Sequence, residues 1–197
     1  MIDTDVLLAW GATYKKVAAG ETIFMEGTNC LFYYQLESGS VRWVNIDESG
    51  KEFIQQMVEP GECFGELPLF DDEPYVASAI ANKPSLILRL HKSTFHQILK
   101  EEPRIHKAFS KLLAKRLRFK FSFMRELAQH EPENRIEKLI SHLKQTNSSI
   151  CPKCHKLNLT RQQIANMTGL RVETVIRAMK NLAEKGALLI DHGKVYC

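Results

Sequence analysis

The chain has 197 residues, 44% of them apolar, with 27 Lys and Arg against 23 Asp and Glu for a formal net charge of +4. That is enough apolar material to bury one large core or two modest ones, and no run is long enough to span a bilayer. The start Met1-Ile2-Asp3-Thr4-Asp5 lacks the basic, then apolar order of a secretion signal, so the five cysteines are expected as thiols in a cytoplasmic protein without a membrane partner.

The charge is unevenly placed. Residues 1–103 hold 8 Lys and Arg against 16 Asp and Glu, net −8; residues 104–128 hold 8 against 1, net +7; residues 129–197 hold 11 against 6, net +5. An acidic front joined to a basic back suits a regulatory part attached to one that meets phosphate backbones, although basic clusters also arise as solvated helix faces.

A short helix is expected around Val6 to Trp10. Strand-like runs follow at Leu31 to Leu36, Ser40 to Ile46, Phe53 to Val58, Val76 to Ala81 and Leu86 to Leu90. Gly27, Gly39, Gly50 and Gly61 fall at spacings of 12, 11 and 11, the rhythm of short strands turning back in a sandwich or jelly roll. A metal-dependent enzyme on such a barrel needs His and carboxylate ligands on its strands. Only His91 and His96 occur before residue 100, both at or beyond the last strand, which disfavours a cupin-like enzyme.

Pro103 suits the first turn of a long helix that continues to about Gln129 without an internal proline or glycine. Phe109, Leu112, Leu113, Leu117, Phe121, Met124 and Leu127 recur at three- and four-residue steps, and Phe119 and Phe123 widen the apolar surface. At about 1.5 Å per residue the helix is about 40 Å long, more than one small barrel covers, so its stripe is expected to pair with a second copy. Pro132 breaks the chain direction, and Arg135 to Leu143 is the next helix.

Cys151-Pro152-Lys153-Cys154-His155 then forms a small thiol site in a hairpin. The C-x-x-C spacing is half a zinc site, which Cys197 or His192 would complete. A plain hairpin with incidental thiols is as open a reading as the zinc site, and a redox-switched disulfide is a third.

Thr160-Arg161-Gln162-Gln163 is a capping box that starts a helix ending at Gly169, the residue a tight helix–helix turn needs. A second helix places Leu170, Val175, Met179 and Leu182 on one face and Arg171, Glu173, Thr174 and Arg177 largely off it. Lys185-Gly186 closes it. Leu188 to Ile190, the turn His192-Gly193-Lys194, and Val195-Tyr196 make a small wing. Two amphipathic helices and a hairpin also serve as a simple core-forming end piece. Against that, Glu173 and Arg177 stand four apart and are the side-chain types that read cytosine N4 and guanine O6/N7.

In this order the pieces resemble the cyclic-AMP receptor protein/fumarate-nitrate regulator (Crp/Fnr) family of bacterial transcription factors over nearly the full length. Gly65-Glu66-Leu67-Pro68-Leu69-Phe70 looks like the family's phosphate-binding cassette, and Gly39 and Pro60-Gly61-Glu62 like its strand-turn glycines. Leu159 to Ile164, Glu173-Thr174-Val175 with Arg177, and His192-Gly193-Lys194 match its helix-turn-helix and wing.

The resemblance implies an α+β protein in three parts: a cyclic-nucleotide-binding-like β jelly roll over 1–102, a dimerisation helix over 103–129 and a winged helix-turn-helix over 130–197. It implies double-stranded DNA, a second copy of the chain and RNA polymerase as partners, and no enzymatic activity. Glu173 and Arg177, with Arg171 and Thr174 beside them, would read bases of a near-palindrome, while Thr160, Arg161 and Lys194 would hold phosphates. Val172 stands where the cyclic-AMP branch has another base-reading arginine, and Ile176 replaces the serine of the fumarate-nitrate branch, so the half-site is neither branch's own. With no cysteine before Cys30, the fumarate-nitrate iron–sulfur cluster is not expected.

The corresponding effector pocket comprises Gly65, Glu66, Leu67, Tyr75, Val76, Lys120 and Phe121. The cyclic-AMP branch meets the ligand's phosphate with an arginine and a serine where this chain has Tyr75-Val76-Ala77 after three acids. It receives adenine with a Thr-Ser pair where this chain has Lys120-Phe121. An effector other than cyclic AMP, or none, is expected. The alternatives are a redox- or zinc-responsive regulator acting through Cys151 and Cys154, and a cyclic-nucleotide-binding regulatory subunit of an enzyme or channel.

Overall fold

A computed structural model describes residues 2–128 and 131–197. The chain divides into two compact units, Met1–Ala114 and Lys115–Cys197. The sequence's extension of the long helix to Gln129 lies outside the described residues.

The first unit opens with α1 (Thr4–Ala9), capped by the Asp3 carboxylate, which accepts from the Asp5 amide at 2.9 Å. Six antiparallel strands follow: β1 (Thr13–Val17), β2 (Thr22–Phe24), β3 (Phe32–Ile46), β4 (Glu52–Val58), β5 (Cys63–Phe64) and β6 (Ser78–His91). The sheet runs β1-β6-β3-β4, with β2 on β6 and β5 on β3. α3 (Lys92–Glu101) packs on β6 and β3, and α2 (Pro68–Asp71) is joined to it where the His96 ring meets the Leu69 carbonyl at 2.7 Å.

Two strands are longer than the turn signals in the sequence suggest. Leu31 to Leu36 and Ser40 to Ile46 are one strand, as are Val76 to Ala81 and Leu86 to Leu90, trimmed to begin at Ser78. The turn signals between them mark bulges, not chain reversals: the β3–β6 register shifts at Leu36/Ser38, Ser38/Ser40 and Ser40/Val41. A bulge bends a strand while keeping it in the sheet, and Pro84, which cannot donate to a ladder, sits at that bend. Gly39 lies there with φ +105°, and a Cβ on it would come within 2.6 Å of the Ser85 Cα. Backbone on one side and a disfavoured φ on the other leave no residue but glycine. We expect Gly39→Ala to cost about 2–4 kcal/mol, measured as a lowered urea midpoint with unchanged slope.

The barrel core is aromatic. Tyr33 stacks on Phe95 of α3 at 5.0 Å, and Phe95 meets Phe109 edge-on at 5.2 Å. Phe109 belongs to α4 (Pro103–Ala128), whose early turns therefore lie in the first unit. The Tyr33 hydroxyl donates to Gln35 Oε1 at 2.6 Å, and the Gln35 amide donates to the Ile2 carbonyl at 3.0 Å, so these buried polar groups are satisfied.

The second unit holds the remainder of α4, α5 (Pro132–Thr146), α6 (Arg161–Thr168), α7 (Val172–Glu184) and the wing strands β7 (Leu189–Asp191) and β8 (Lys194–Tyr196). Ile136, Leu139, Ile140 and Leu143 on α5 close over Ile164 of α6 and over Val175, Met179 and Leu182 of α7, all buried. Phe119 and Phe123 do not widen an outward stripe as the periodicity suggests. Phe123 is buried, and Phe119 stacks on His142 of α5 with centroids 3.5 Å apart. Burial pulls the His142 pKa down, and Lys120 adds to that, so the ring is neutral against its aromatic partner at pH 7. The side of α4 left open is narrower: Leu117, Phe121 and Met124 are 56%, 66% and 61% exposed.

Candidate functional site

The second unit presents its polar groups from a rigid base. Thr160 caps α6 reciprocally: its hydroxyl accepts from the Gln163 amide at 3.1 Å while Gln163 Oε1 accepts from the Thr160 amide at 2.9 Å. The hydroxyl hydrogen of Thr160 is still available to donate outward, because a hydroxyl accepts and donates at once. Thr168 returns its buried hydroxyl to the Ile164 carbonyl at 2.7 Å, and Gly169 ends the helix at φ 69°. That glycine turns the chain directly into α7.

On α7, Val175, Ala178, Met179 and Leu182 face the core. At 100° per residue, Glu173 and Arg177 lie on the opposite side, and both are exposed, as are Arg171 at the N-cap and Ile176. Thr174 is half-buried at the edge of that face. Neither Glu173 nor Arg177 is ion-paired among the described residues, so their carboxylate and guanidinium are available to a partner. Lys180, one turn further along the same face, was not singled out from the sequence. It reaches Glu184 only at 3.9 Å, and its i, i+7 spacing from Glu173 was the available signal. Asn181 donates to Glu133 of α5 at 2.9 Å and so fixes the roll of α7 about its axis.

The wing differs from the sequence reading by one position. Its strands pair as Leu189 with Tyr196, Ile190 with Val195 and Asp191 with Lys194, leaving a two-residue turn of His192 and Gly193. Both turn residues have positive φ, 43° and 77°, the conformation whose twist matches a hairpin. Lys194 is thus a strand residue, exposed next to the turn, and not a turn residue. Arg161 sits half-exposed at the first position of α6.

The sensor-side residues divide. Gly65, Glu66, Leu67 and Tyr75 come together: Gly65 has φ +65°, and a Cβ there would lie 2.7 Å from Phe24 Cε1 and 3.0 Å from Tyr75 Cε1. Tyr75 lies flat on Phe24, centroids 3.8 Å apart and planes within 10°. Phe24 in turn stacks near Phe64 at 6.0 Å and Tyr34 at 5.6 Å, and all four rings are buried. Burial, then a hydrogen bond with the Cys30 thiol, drives the Tyr75 phenol far above its ordinary range. Glu66 is buried, and its carbonyl starts α2 by accepting from Leu69 at 3.0 Å. Val76 does not join this group. It is exposed, because β6 begins only at Ser78. Lys120 and Phe121 belong to the second unit, with Phe121 exposed.

The aromatic plug went unseen in the sequence because Phe24 lies on a three-residue strand with no pattern of its own. The loop of three acids is partly neutralised by a partner the sequence did not reveal: Lys92 reaches Asp72 at 2.7 Å and the Pro68 carbonyl at 2.8 Å. Lys92 holds the Asp72 carboxyl below its usual range. Arg89 points outward, bonded to Thr13 at 3.3 Å and lying 5.3 Å from the Phe32 ring centre.

Cys151 and Cys154 lie in a hairpin as expected, and both are free thiols. Among the described residues no three or more His, Cys, Asp or Glu gather as metal ligands, so His155, His192 and Cys197 do not complete a zinc site with them. Among the same residues no helix is long and apolar enough to cross a membrane.

A β-barrel and a winged helix-turn-helix with an exposed polar face on its second helix define a DNA-binding transcription regulator. Comparison with known proteins agrees: residues 14–102 match the cyclic nucleotide-binding domain, and residues 134–196 match the Crp-like helix-turn-helix domain. The cAMP-activated global transcriptional regulator CRP of Pasteurella multocida is 30% identical over 195 residues, 96% of this chain and 93% of that protein. CRP of Haemophilus influenzae is 29% identical over 96% of this chain and 87% of its own length. In fold, the c-di-GMP responsive regulator CLP of Xanthomonas campestris superposes with TM-score 0.76 at 22% identity, covering 98% and 97% of the two chains. FixK2 of Bradyrhizobium japonicum does so with TM-score 0.77 at 20% identity over 94% and 91%. The chain belongs to the Crp/Fnr family of transcription regulators.

Proposed function

We propose that the chain acts as a homodimer, paired along α4 (Pro103–Ala128), that reads a near-palindromic DNA site and contacts RNA polymerase from it. Its effector is not cyclic AMP: either a less anionic small molecule or no ligand biases it. The observation that carries the DNA reading is the two-sided α7, with its apolar face buried and Glu173 and Arg177 exposed on the other side. In a major groove a guanidinium donates twice to guanine O6/N7, and a carboxylate accepts from cytosine N4. Arg171 and Thr174 flank that contact, and Thr160, Arg161 and Lys194 hold phosphates on either side of it.

Selection of bound sequences from a random DNA pool tests this directly. Arg177→Ala is expected to lose about 1–3 kcal/mol on the selected site and to relax preference at one position of each half-site. Arg161→Ala or Lys194→Ala should instead weaken all sequences evenly and reduce the salt dependence by about one phosphate contact each. An Arg177→Ala protein as tight and as selective as wild type overturns the base-reading role.

A further inference from the structure

The turn between α5 and α6 carries two thiols that neither base reading nor the barrel uses. Its arms meet at Ile150 and Leu157. Within it the Cys151 amide donates to the Lys156 carbonyl at 2.8 Å, and the His155 amide donates to the Cys151 carbonyl at 2.9 Å. These bonds close residues 151–156 into a small loop with Cys154 exposed and Cys151 half-exposed at its surface.

Inside the loop the Cys151 sulfur accepts from the Cys154 amide and the Cys154 thiol, then from the Lys153 amide, and Lys156 lies near. Together these lower its pKa. The thiols are therefore neighbours, and Cys151 is the better nucleophile. The other cysteines contrast with them: Cys30 and Cys63 are buried, and burial raises the Cys197 thiol.

The loop is also tied to both DNA-facing elements. On one side the Leu157 amide donates to Val195 at 2.9 Å, Lys156 bridges Tyr196, and the Cys197 amide donates to His155 at 3.0 Å, which holds the loop to the last strand of the wing. On the other side the Asn158 amide donates to Ser149 at 2.7 Å, and buried Leu159 leads straight into the Thr160 cap of α6.

We propose that Cys151 and Cys154 are a redox-active dithiol whose closure to a disulfide retunes DNA binding through the wing and the start of α6. The oxidant is a low-molecular-weight disulfide. The Cys151 thiolate attacks one of its sulfurs, the external S–S bond breaks, and one small thiolate leaves and takes up a proton. Cys154, deprotonated, then attacks the Cys151 sulfur of the mixed disulfide, and the second small thiolate leaves and is protonated. The protein loses two electrons and two protons, and the external disulfide gains them as two thiols.

The coupling to DNA rests on the base-reading assignment of this unit; the thiol chemistry does not. The test equilibrates the reduced full chain with oxidised glutathione and follows intact mass, the oxidised peptide, zinc content and DNA affinity together. The wild type should lose two hydrogens, mapped to the 151–154 peptide. Cys151→Ser should not react there, and Cys154→Ser should stop as a glutathione adduct on Cys151. DNA affinity should shift by about fivefold or more between the reduced and oxidised forms, and the shift should be absent in Cys151→Ser.

An adduct that rests on Cys154 or Cys197, a failure of the pair to close, or stoichiometric zinc in the purified chain overturns the site. Complete closure with unchanged affinity overturns the coupling. A reduced protein that selects no DNA sequence overturns the base-reading assignment and the coupling with it, while the mass readout still decides the dithiol.

Discussion

A chain carrying Leu117→Lys with Phe121→Lys is expected to run as a monomer and to lose about 10²–10⁴-fold in affinity for its palindrome. The loss follows from effective concentration: once one α7 is seated in its half-site, a paired copy places the second α7 beside the other half-site without another encounter. Leu117, Phe121 and Met124 recur at i, i+4 and i+7, and all are more than half exposed. Three large apolar side chains in one row are more than a lone solvent-facing helix usually shows. The opposite face of α4 carries Phe123, which is buried, and Phe119, which stacks on His142 of α5, so the open row is not left over from that packing.

Lysine is the informative substitution. Residues 104–128 already carry a net +7, and a new carboxylate would find cations on the facing copy and stabilise the very contact it is meant to break. Two further ammonium groups repel it, and lysine keeps the helix propensity. The same charge makes a second outcome: wild-type pairing should tighten with added salt, since about 0.1 M screens repulsion beyond roughly 10 Å. Light scattering and mobility shift measure both. A dimeric double variant with wild-type operator affinity overturns the helix as the pairing surface.

What was legible in the sequence was local chemistry. The Thr160–Gln163 capping box, the Gly169 turn and the α7 faces are short-range, because a cap or a 3.6-residue period is written within one or two turns. What was not legible depends on strands far apart in the chain. Gly39 signals a turn locally, but whether it ends a strand or bends one is decided by Ser85 pressing on it from β6. Phe119 reads in the sequence as extra apolar surface on the long helix, yet His142, 23 positions later, claims its ring. α3 follows β6 without a loop because His91 caps it through its ring, accepting from the Ser93 amide at 3.4 Å, and histidine is not a residue read as a cap. At the sensor site the missing arginine was visible as an absence. The filling of the space was not, since Phe24, Tyr34, Phe64 and Tyr75 converge from four separate segments.

That convergence gives the other large effect. Phe24→Ala is expected to destabilise the chain by about 3–5 kcal/mol, read as a drop in urea midpoint without a change in slope. The Phe24 ring touches Tyr75, Tyr34 and Phe64, and its removal leaves a void walled by rings that cannot all move inward at once. The same four rings are why calorimetric titration with cyclic AMP or cyclic GMP should show no binding at micromolar concentration. A cyclic nucleotide brings a full negative charge that, once buried, must meet an arginine and backbone amides. Of the two arginines on the barrel strands, Arg42 is held by Glu52 at 2.6 Å and Arg89 points outward to Thr13. Gly65, which opens the segment resembling the phosphate-binding cassette, lies against the Tyr75–Phe24 stack, so a ligand entering there would also have to part a ring pair worth about 0.5–1.5 kcal/mol beyond its buried area. Unchanged stability of Phe24→Ala would show that the stack does not fill the barrel. Micromolar cyclic-AMP binding that also raises DNA affinity would show that Tyr75 swings aside for a nucleotide, and would return this barrel to nucleotide sensing.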